Sequence, residues 1–278
     1  MTATQVLLIF STGLVAGILN TVGGGGSLLS LPVLIFMGLP SAVANGTNRV
    51  ALMVQNIVAI SYFRHKGYFY PKLSVILGIP AILGSVAGAH FAITLSDEMF
   101  NKTLAVIMLT VLVLILWRPE QKLLKKKQDN IDIQQHEMET DNGNTEGKGE
   151  GENFSPMQLT LAAITFFGVG FYGGFIQAGV GFIIIATLTL ITGMSLVKIN
   201  SLKVLVVAIY MLSSLLIFIF SGKVDWILGF TLAAGNAVGA YLGSAFAVSK
   251  GDKYIRVFLI VTVIIMSGKL LGIHKLFG

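Results

Sequence analysis

Long apolar runs separated by short polar stretches make up most of the chain. They extend approximately over residues 5–36, 43–63, 73–93 and 102–117, then over 157–192, 199–220, 227–248 and 255–272. Several hold 18 or more residues without a charge, long enough for a helix to cross a hydrocarbon layer of roughly 30 Å. The pattern predicts an all-α, polytopic transmembrane helical bundle.

Between the two groups lies residues 118–156, RPEQKLLKKKQDNIDIQQHEMETDNGNTEGKGEGENFSP, which hold nine of the thirteen carboxylates. This polar, glycine-rich stretch has too little apolar surface to offset its ordering entropy, so a disordered linker is expected. The chain thereby divides into a first membrane repeat (1–117), the linker (118–156) and a second membrane repeat (157–278). Gly67 in HKGYFY falls opposite Gly222 in FSGKVDW, and Gly84 and Gly88 fall opposite Gly239 and Gly243, all 155 residues apart. Gly38 and Asn45 match Gly193 and Asn200 at the same offset. Two homologous halves are the simplest source of that register.

Within the opening run stand four consecutive glycines, Gly23 to Gly26. As one straight helix the 32 residues from Val6 to Met37 would measure about 48 Å, too long for one upright crossing. A hairpin at the glycines gives each half an odd number of passes and inverts the second half; a single broken crossing leaves the halves parallel. Loop charge favours inversion. With the loop holding Arg64, Lys66 and Lys72 and the linker placed on the cytoplasmic side, thirteen basic residues lie inside and four outside, with two in the membrane, as the retention of Lys and Arg on that side requires. The expected location is the cell membrane, with several passes and a cytoplasmic linker.

Composition narrows the function. Only 12% of the 278 residues are charged and 54% are apolar, about half the charge of a soluble domain. The net charge of +6 then reflects cytoplasmic anchoring rather than nucleic-acid binding. No cysteine is present, so there is no disulfide, thiolate metal site or thiol nucleophile. The start, MTATQ, has no basic residue, and no removable signal peptide is expected. No GxxxxGK[ST] loop or HExxH motif occurs, so neither an ATP-driven pump nor a membrane metalloenzyme is indicated, and no cofactor is expected.

Two basic residues remain inside apolar runs: Arg49 in NGTNRVALM, four residues past Asn45, and Lys203 in INSLKVLVV, three past Asn200. A basic residue near a helix end can snorkel to the headgroups, which accounts for either alone. Their repeat pairing points instead to a pathway, because an ionisable group inside a span usually faces a cavity. Asp97, Glu98, Asp225 and Asp252 all fall in loops, so buried cations without buried carboxylates suit an anion. In each half glycines are expected to interrupt a helix: Gly23, Gly24, Gly25 and Gly26, and Gly170, Gly173, Gly174, Gly179 and Gly181 of GVGFYGGFIQAGVG. Irregular backbone at membrane depth lines a cavity or is packed in protein, and free amides at helix starts attract anions. Asn20 and Gln177 precede the two breaks as neutral donors. Gly84, Gly88, Gly239 and Gly243 suit close helix packing, and His90, alone on an apolar helix, suits a structural role.

AGILNTVGGGGSLLSLPVL with the following GTNRVALMVQN, and GFYGGFIQAGVG in the second half, resemble the TauE/SafE sulfite exporter family over nearly the whole chain apart from the linker. The resemblance implies a multi-pass carrier of two homologous halves for sulfite, sulfonates or other organic anions. Many members of that family carry an acidic residue where Asn20 stands and another near Gly173, so coupling through carboxylate protons is not implied here. The expectation is a secondary transporter of a small anion, not an enzyme. Arg49 and Lys203 would attract the anion and amides near Gly23–Gly26 and Gly179–Gly181 would coordinate its oxygens. Asn20, Thr47, Asn48, Gln177 and Ser201 would orient it. An anion channel and a non-transporting membrane scaffold are the rivals. The partners expected are the anion and the lipid bilayer, with a homo-oligomer left open.

Overall fold

Proline and glycine set most helix boundaries. Pro40 precedes one helix, Pro71 opens the next, and Gly38, Gly67 and Gly222 sit just past helix ends with φ of +97°, +82° and +65°, a region glycine enters without penalty. The computed structural model describes residues 2–117, 156–192 and 194–249. The predicted linker, Gly193, Lys250, Lys253, Arg256 and the final apolar run 255–272 lie outside the described residues.

All regular structure among the described residues is helical: α1 (Ala3–Val22), α2 (Ser27–Phe36), α3 (Ser41–His65), α4 (Pro71–Thr94), α5 (Asp97–Trp117), α6 (Pro156–Phe175), α7 (Val180–Thr192), α8 (Leu196–Phe220) and α9 (Trp226–Ser249). Four of them, α1, α4, α8 and α9, are long and apolar enough to cross a membrane. The 25-residue α3 is long enough too, but carries Asn45, Asn48, Arg49, Gln55 and Asn56 along its length. Outward-facing Ile79, Leu83, Ile164 and Ile227 are each more than half exposed, a surface that suits lipid rather than water.

The halves match helix for helix. α3 and α8 each have 25 residues and begin at 41 and 196; α4 and α9 each have 24 and begin at 71 and 226. Arg49 donates to Ser214 Oγ, while Ser201 at the start of α8 donates to the Tyr68 carbonyl just past the end of α3. The matching helices α3 and α8 therefore run antiparallel.

The most extensive helix contacts also cross between halves. α1 packs on α9 and α6 packs on α4, each pair running parallel with its backbones almost touching. A Cβ on Gly13 or Gly17 would strike the carbonyls of Leu232 or Asn236, and one on Gly235 or Gly239 those of Phe10 or Leu14. Gly84 and Gly88 abut the carbonyls of Phe167 and Phe171, and Gly170 and Gly174 those of Ala81 and Ser85. Small residues let membrane helices approach this closely and gain dispersion contacts. The packing role expected for Gly84, Gly88 and Gly239 is thus seen, and a Cβ added at Gly243 would come within 2.9 Å of the Ile18 Cα.

Gly170, Gly173 and Gly174 do not interrupt a helix as the sequence suggested. All three lie within α6. Two meet α4 and Gly173 meets the Tyr210 ring, so they serve packing, and the actual break comes later, at residues 176–179.

The contact pattern gives a stability test. Gly88→Leu should destabilise the purified protein by about 1–3 kcal/mol through overpacking, read as a lower thermal midpoint. Gly168→Ala, where a Cβ meets nothing within 4 Å, should leave the midpoint unchanged or raise it, because alanine is the better helix former.

Candidate functional site

The first break is built by its own sequence. α1 ends at Val22, and Asn20 Oδ1 accepts the Gly26 N–H at 2.7 Å across the glycine run. The chain then doubles back, so that Gly26 sits against the Ala16 carbonyl, too close for any side chain. The ten-residue α2 is about 15 Å long, half of a crossing. Gly24 has φ of +85° and its Cα lies against Gly181, where a Cβ on either residue would overlap the other's Cα. Gly25 lies buried between Gly24 and Gly26. Gly23, with φ of −120° and an ordinary Cβ contact of 3.4 Å to Phe182, is less constrained.

The second break follows the same plan. α6 ends at Phe175, Gln177 and Gly179 take φ of +67° and +76°, and α7 starts at Val180. Asn20 and Gln177, and Gly24 and Gly181, are pairs 157 residues apart, as are Gly13 and Gly170, and Gly17 and Gly174. The offset is thus two residues longer here than between α3 and α8. The two breaks meet back to back at Gly24 and Gly181.

Each break leaves helix-terminal carbonyls inside apolar surroundings, where they need donors. A basic side chain of the opposite half supplies them. Lys203 Nζ, nearly fully buried, donates to the carbonyls of Asn20 (3.0 Å) and Thr21 (3.2 Å) at the end of α1 and to Asn200 Oδ1 (2.7 Å). Arg49, fully buried, donates through Nη2 to the Gly174 carbonyl near the end of α6 (2.5 Å) and to Asn45 Oδ1 (3.4 Å), and through Nη1 to Ser214 Oγ (2.8 Å). Its guanidinium lies over the Phe218 ring, 4.7 Å from the centroid. Asn45 Nδ2 adds a bond to the Phe175 carbonyl at 2.7 Å. The matched asparagines Asn45 and Asn200 each hold the neighbouring cation.

A cavity of about 20 Å³ opens beside the meeting point, lined by Asn20, Gly24, Gln55, Asn56, Gln177, Gly181 and Lys203 among others. That is room for about one water. The side chains around it hold one another in register. Gln55 Oε1 accepts from Asn20 Nδ2 (3.0 Å) and Asn236 Nδ2 (3.2 Å), and Gln177 Oε1 accepts from Tyr210 Oη (3.1 Å). Asn56 Nδ2 is buried without a partner.

Of the residues expected at the site, the structure brings Asn20, Gly24, Gln177, Gly181 and Lys203 to the cavity. Arg49 stands at the far break instead. Thr47 Oγ1 accepts the Asp225 N–H at the approach to α9, Asn48 ties α3 to Ser27 and Ser30 of α2, and Ser201 bonds the Tyr68 carbonyl. Sequence reasoning missed Gln55, Asn56, Tyr210 and Asn236. Gln55 and Asn56 did carry a signal, a neutral polar pair in the middle of the apolar ALMVQNIVAI.

Half-length helices meeting end to end at buried polar residues, inside a bundle with membrane-length apolar helices, define a helical membrane transporter. The comparison with known proteins gives the family. The chain belongs to the TauE/SafE sulfite exporter family, whose model, described as "Sulfite exporter TauE/SafE", matches residues 9–270. It is 26% identical to a "Probable membrane transporter protein" of Haemophilus influenzae over 95% of this chain and 93% of that relative. It is 27% identical to "Probable membrane transporter protein YfcA" of Escherichia coli over 95% and 88%, and 21% identical to "Probable membrane transporter protein YunE" of Bacillus subtilis over 93% and 94%. No solved structure matches.

The break geometry predicts a contrast between adjacent glycines. Gly24→Ala should cost at least about 1–2 kcal/mol from its left-handed backbone alone, with backbone overlap against Gly181 in addition, whereas Gly23→Ala should be nearly neutral. Thermal unfolding of the two variants side by side checks this, and equal midpoints would contradict the geometry.

Proposed function

We propose that the protein is a secondary carrier of small anions in the cell membrane, with sulfite, a sulfonate or another sulfur-containing or organic anion as cargo. It is built as two inverted halves, 1–117 and 157–278, joined by a cytoplasmic linker, and passes the membrane several times. The antiparallel course of α3 and α8 supports inversion, because matching helices of parallel repeats would run the same way. The single observation that carries the reading is the cavity at the meeting of the two breaks. There Lys203, the Asn56 amide, the Gly24 turn that precedes α2 and the first turn of α7 converge on one small space, and a helix start favours negative charge.

Lys203 supplies charge. Asn20 and Gln177 frame the cavity, Gly24 and Gly181 allow close approach of the main chain, and Gly23, Gly25, Gly26 and Gly179 shape the turns that present it. Arg49 fixes the opposite break, and Thr47, Asn48 and Ser201 hold the helices that carry the two cations. A cavity of about 20 Å³ is too small for a hydrated oxyanion, so the helices must part to admit one. That favours a carrier that alternates over an open channel.

Reconstituted vesicles test this. Uptake of radiolabelled sulfite should fall at least about tenfold in Lys203→Ala, the scale expected when a single charge contact worth about 1.4 kcal/mol or more is lost, while gel filtration shows the variant still folded. Uptake that is unchanged in a folded Lys203→Ala protein would remove the charge contact from the mechanism.

A further inference from the structure

In transporters with broken helices, the carbonyls freed at a break commonly coordinate the coupling cation, while the helix starts receive the anionic substrate. Here five of the carbonyls at the breaks are already occupied by side chains. Lys203 takes those of Asn20 and Thr21, Arg49 takes that of Gly174, Asn45 takes that of Phe175, and the Tyr172 hydroxyl takes that of Ala178.

The side-chain oxygens near the cavity are engaged as well. Asn20 Oδ1 accepts from the Gly26 N–H, Gln55 Oε1 from Asn20 and Asn236, Gln177 Oε1 from Tyr210, and Asn200 Oδ1 from Lys203. The Asn20 amide is oriented by a main-chain N–H, and this in turn fixes which end of Gln55 faces it. Asn56 Nδ2 and Arg49 Nε are donors without a partner, and Asn236 Oδ1, beside Gln55, is a single acceptor without one. The breaks therefore present donors and positive charge, and the Asn236 oxygen alone falls far short of a cation's oxygen shell. A sodium ion needs about six oxygens at close range to replace its water, and the oxygens gathered at the end of α1 surround an ammonium instead.

We propose that Lys203 and Arg49 are tethered counter-cations that occupy the positions of a coupling metal cation at the two helix ends, so that anion binding and transport by this chain do not require Na⁺. The inference rests on the anion-carrier reading and adds the identity of the resident charge. Lys203 is in this respect a positioning residue for α1 as well as a source of charge at the cavity.

The experiment uses the purified full chain and sulfite as probe, in Na⁺ and in N-methylglucamine buffers of equal ionic strength. The stabilisation by sulfite, read as a rise in thermal midpoint, and sulfite uptake into vesicles should be the same in both buffers. A sulfite effect that appears only with Na⁺, or a wild-type protein stabilised by Na⁺ alone, overturns the inference and leaves the carrier reading standing. No sulfite effect with either cation removes the carrier reading and the inference with it. Lys203→Met empties the oxygen cluster of Asn20, Thr21 and Asn200. Its midpoint should then rise by about 3 °C or more when Na⁺ replaces N-methylglucamine, a response that loss of packing alone would not produce. A folded Lys203→Met protein indifferent to Na⁺ overturns the assignment. The wild-type comparison decides the matter if that variant does not fold.

Discussion

A helix that ends inside an apolar layer leaves up to four carbonyls facing a medium that cannot hydrate them, at a cost of several kcal/mol for each one left unpaired. Among the described residues two helices end in this way, α1 at Val22 and α6 at Phe175. At both, buried basic side chains, Lys203 and Arg49, donate to carbonyls of the last turn, with help from Asn45. The arrangement resolves two problems together. Burying an ammonium or a guanidinium is itself costly, and at the negative end of a helix dipole a cation recovers part of that cost.

The caps also lock the halves together. Lys203 belongs to the second half and holds a helix of the first; Arg49 belongs to the first and holds a helix of the second. The glycine-lined contacts follow the same exchange, α1 on α9 and α6 on α4. Neither half is complete without the other, and the polar cavity lies where the two breaks meet, at Gly24 and Gly181. The turn of the first break is held within its own half, by Asn20 Oδ1 accepting the Gly26 N–H.

Much of this was legible in the residues themselves. The long apolar runs gave the helices, the register of Gly67 with Gly222 gave the correspondence of α3–α4 with α8–α9, and the isolated Arg49 and Lys203 marked the interior. The glycines were harder. Gly23 to Gly26 break a helix and Gly170, Gly173 and Gly174 do not, because in a membrane helix glycine serves close packing as readily as a bend, and only the facing chain decides which. Sequence also paired the two cations as one site, whereas they sit at separate breaks. Their partners are main-chain carbonyls, which leave no trace in residue identity. Gln55 and Asn56 escaped notice because neutral amides weigh little beside charges, although a buried amide in an apolar span is costly unless paired. Of the acidic residues expected in loops, Asp225 lies in one, Asp97 and Glu98 instead form the first turn of α5, and Asp252 lies outside the described residues; two of them have evident work. Asp97 accepts the first N–H of α3 and Asp225 that of Leu228 in α9.

The chain has no cysteine, so a single one introduced at Asn56 reports on the cavity alone. The most direct measurement is the rate at which Asn56→Cys in membrane vesicles reacts with a membrane-impermeant, negatively charged thiol reagent, with and without sulfite. An anion site between two movable halves predicts slow labelling through water from either face, retarded several-fold by sulfite. A cysteine that never reacts, or that reacts at the same rate whether or not the anion is present, would contradict it.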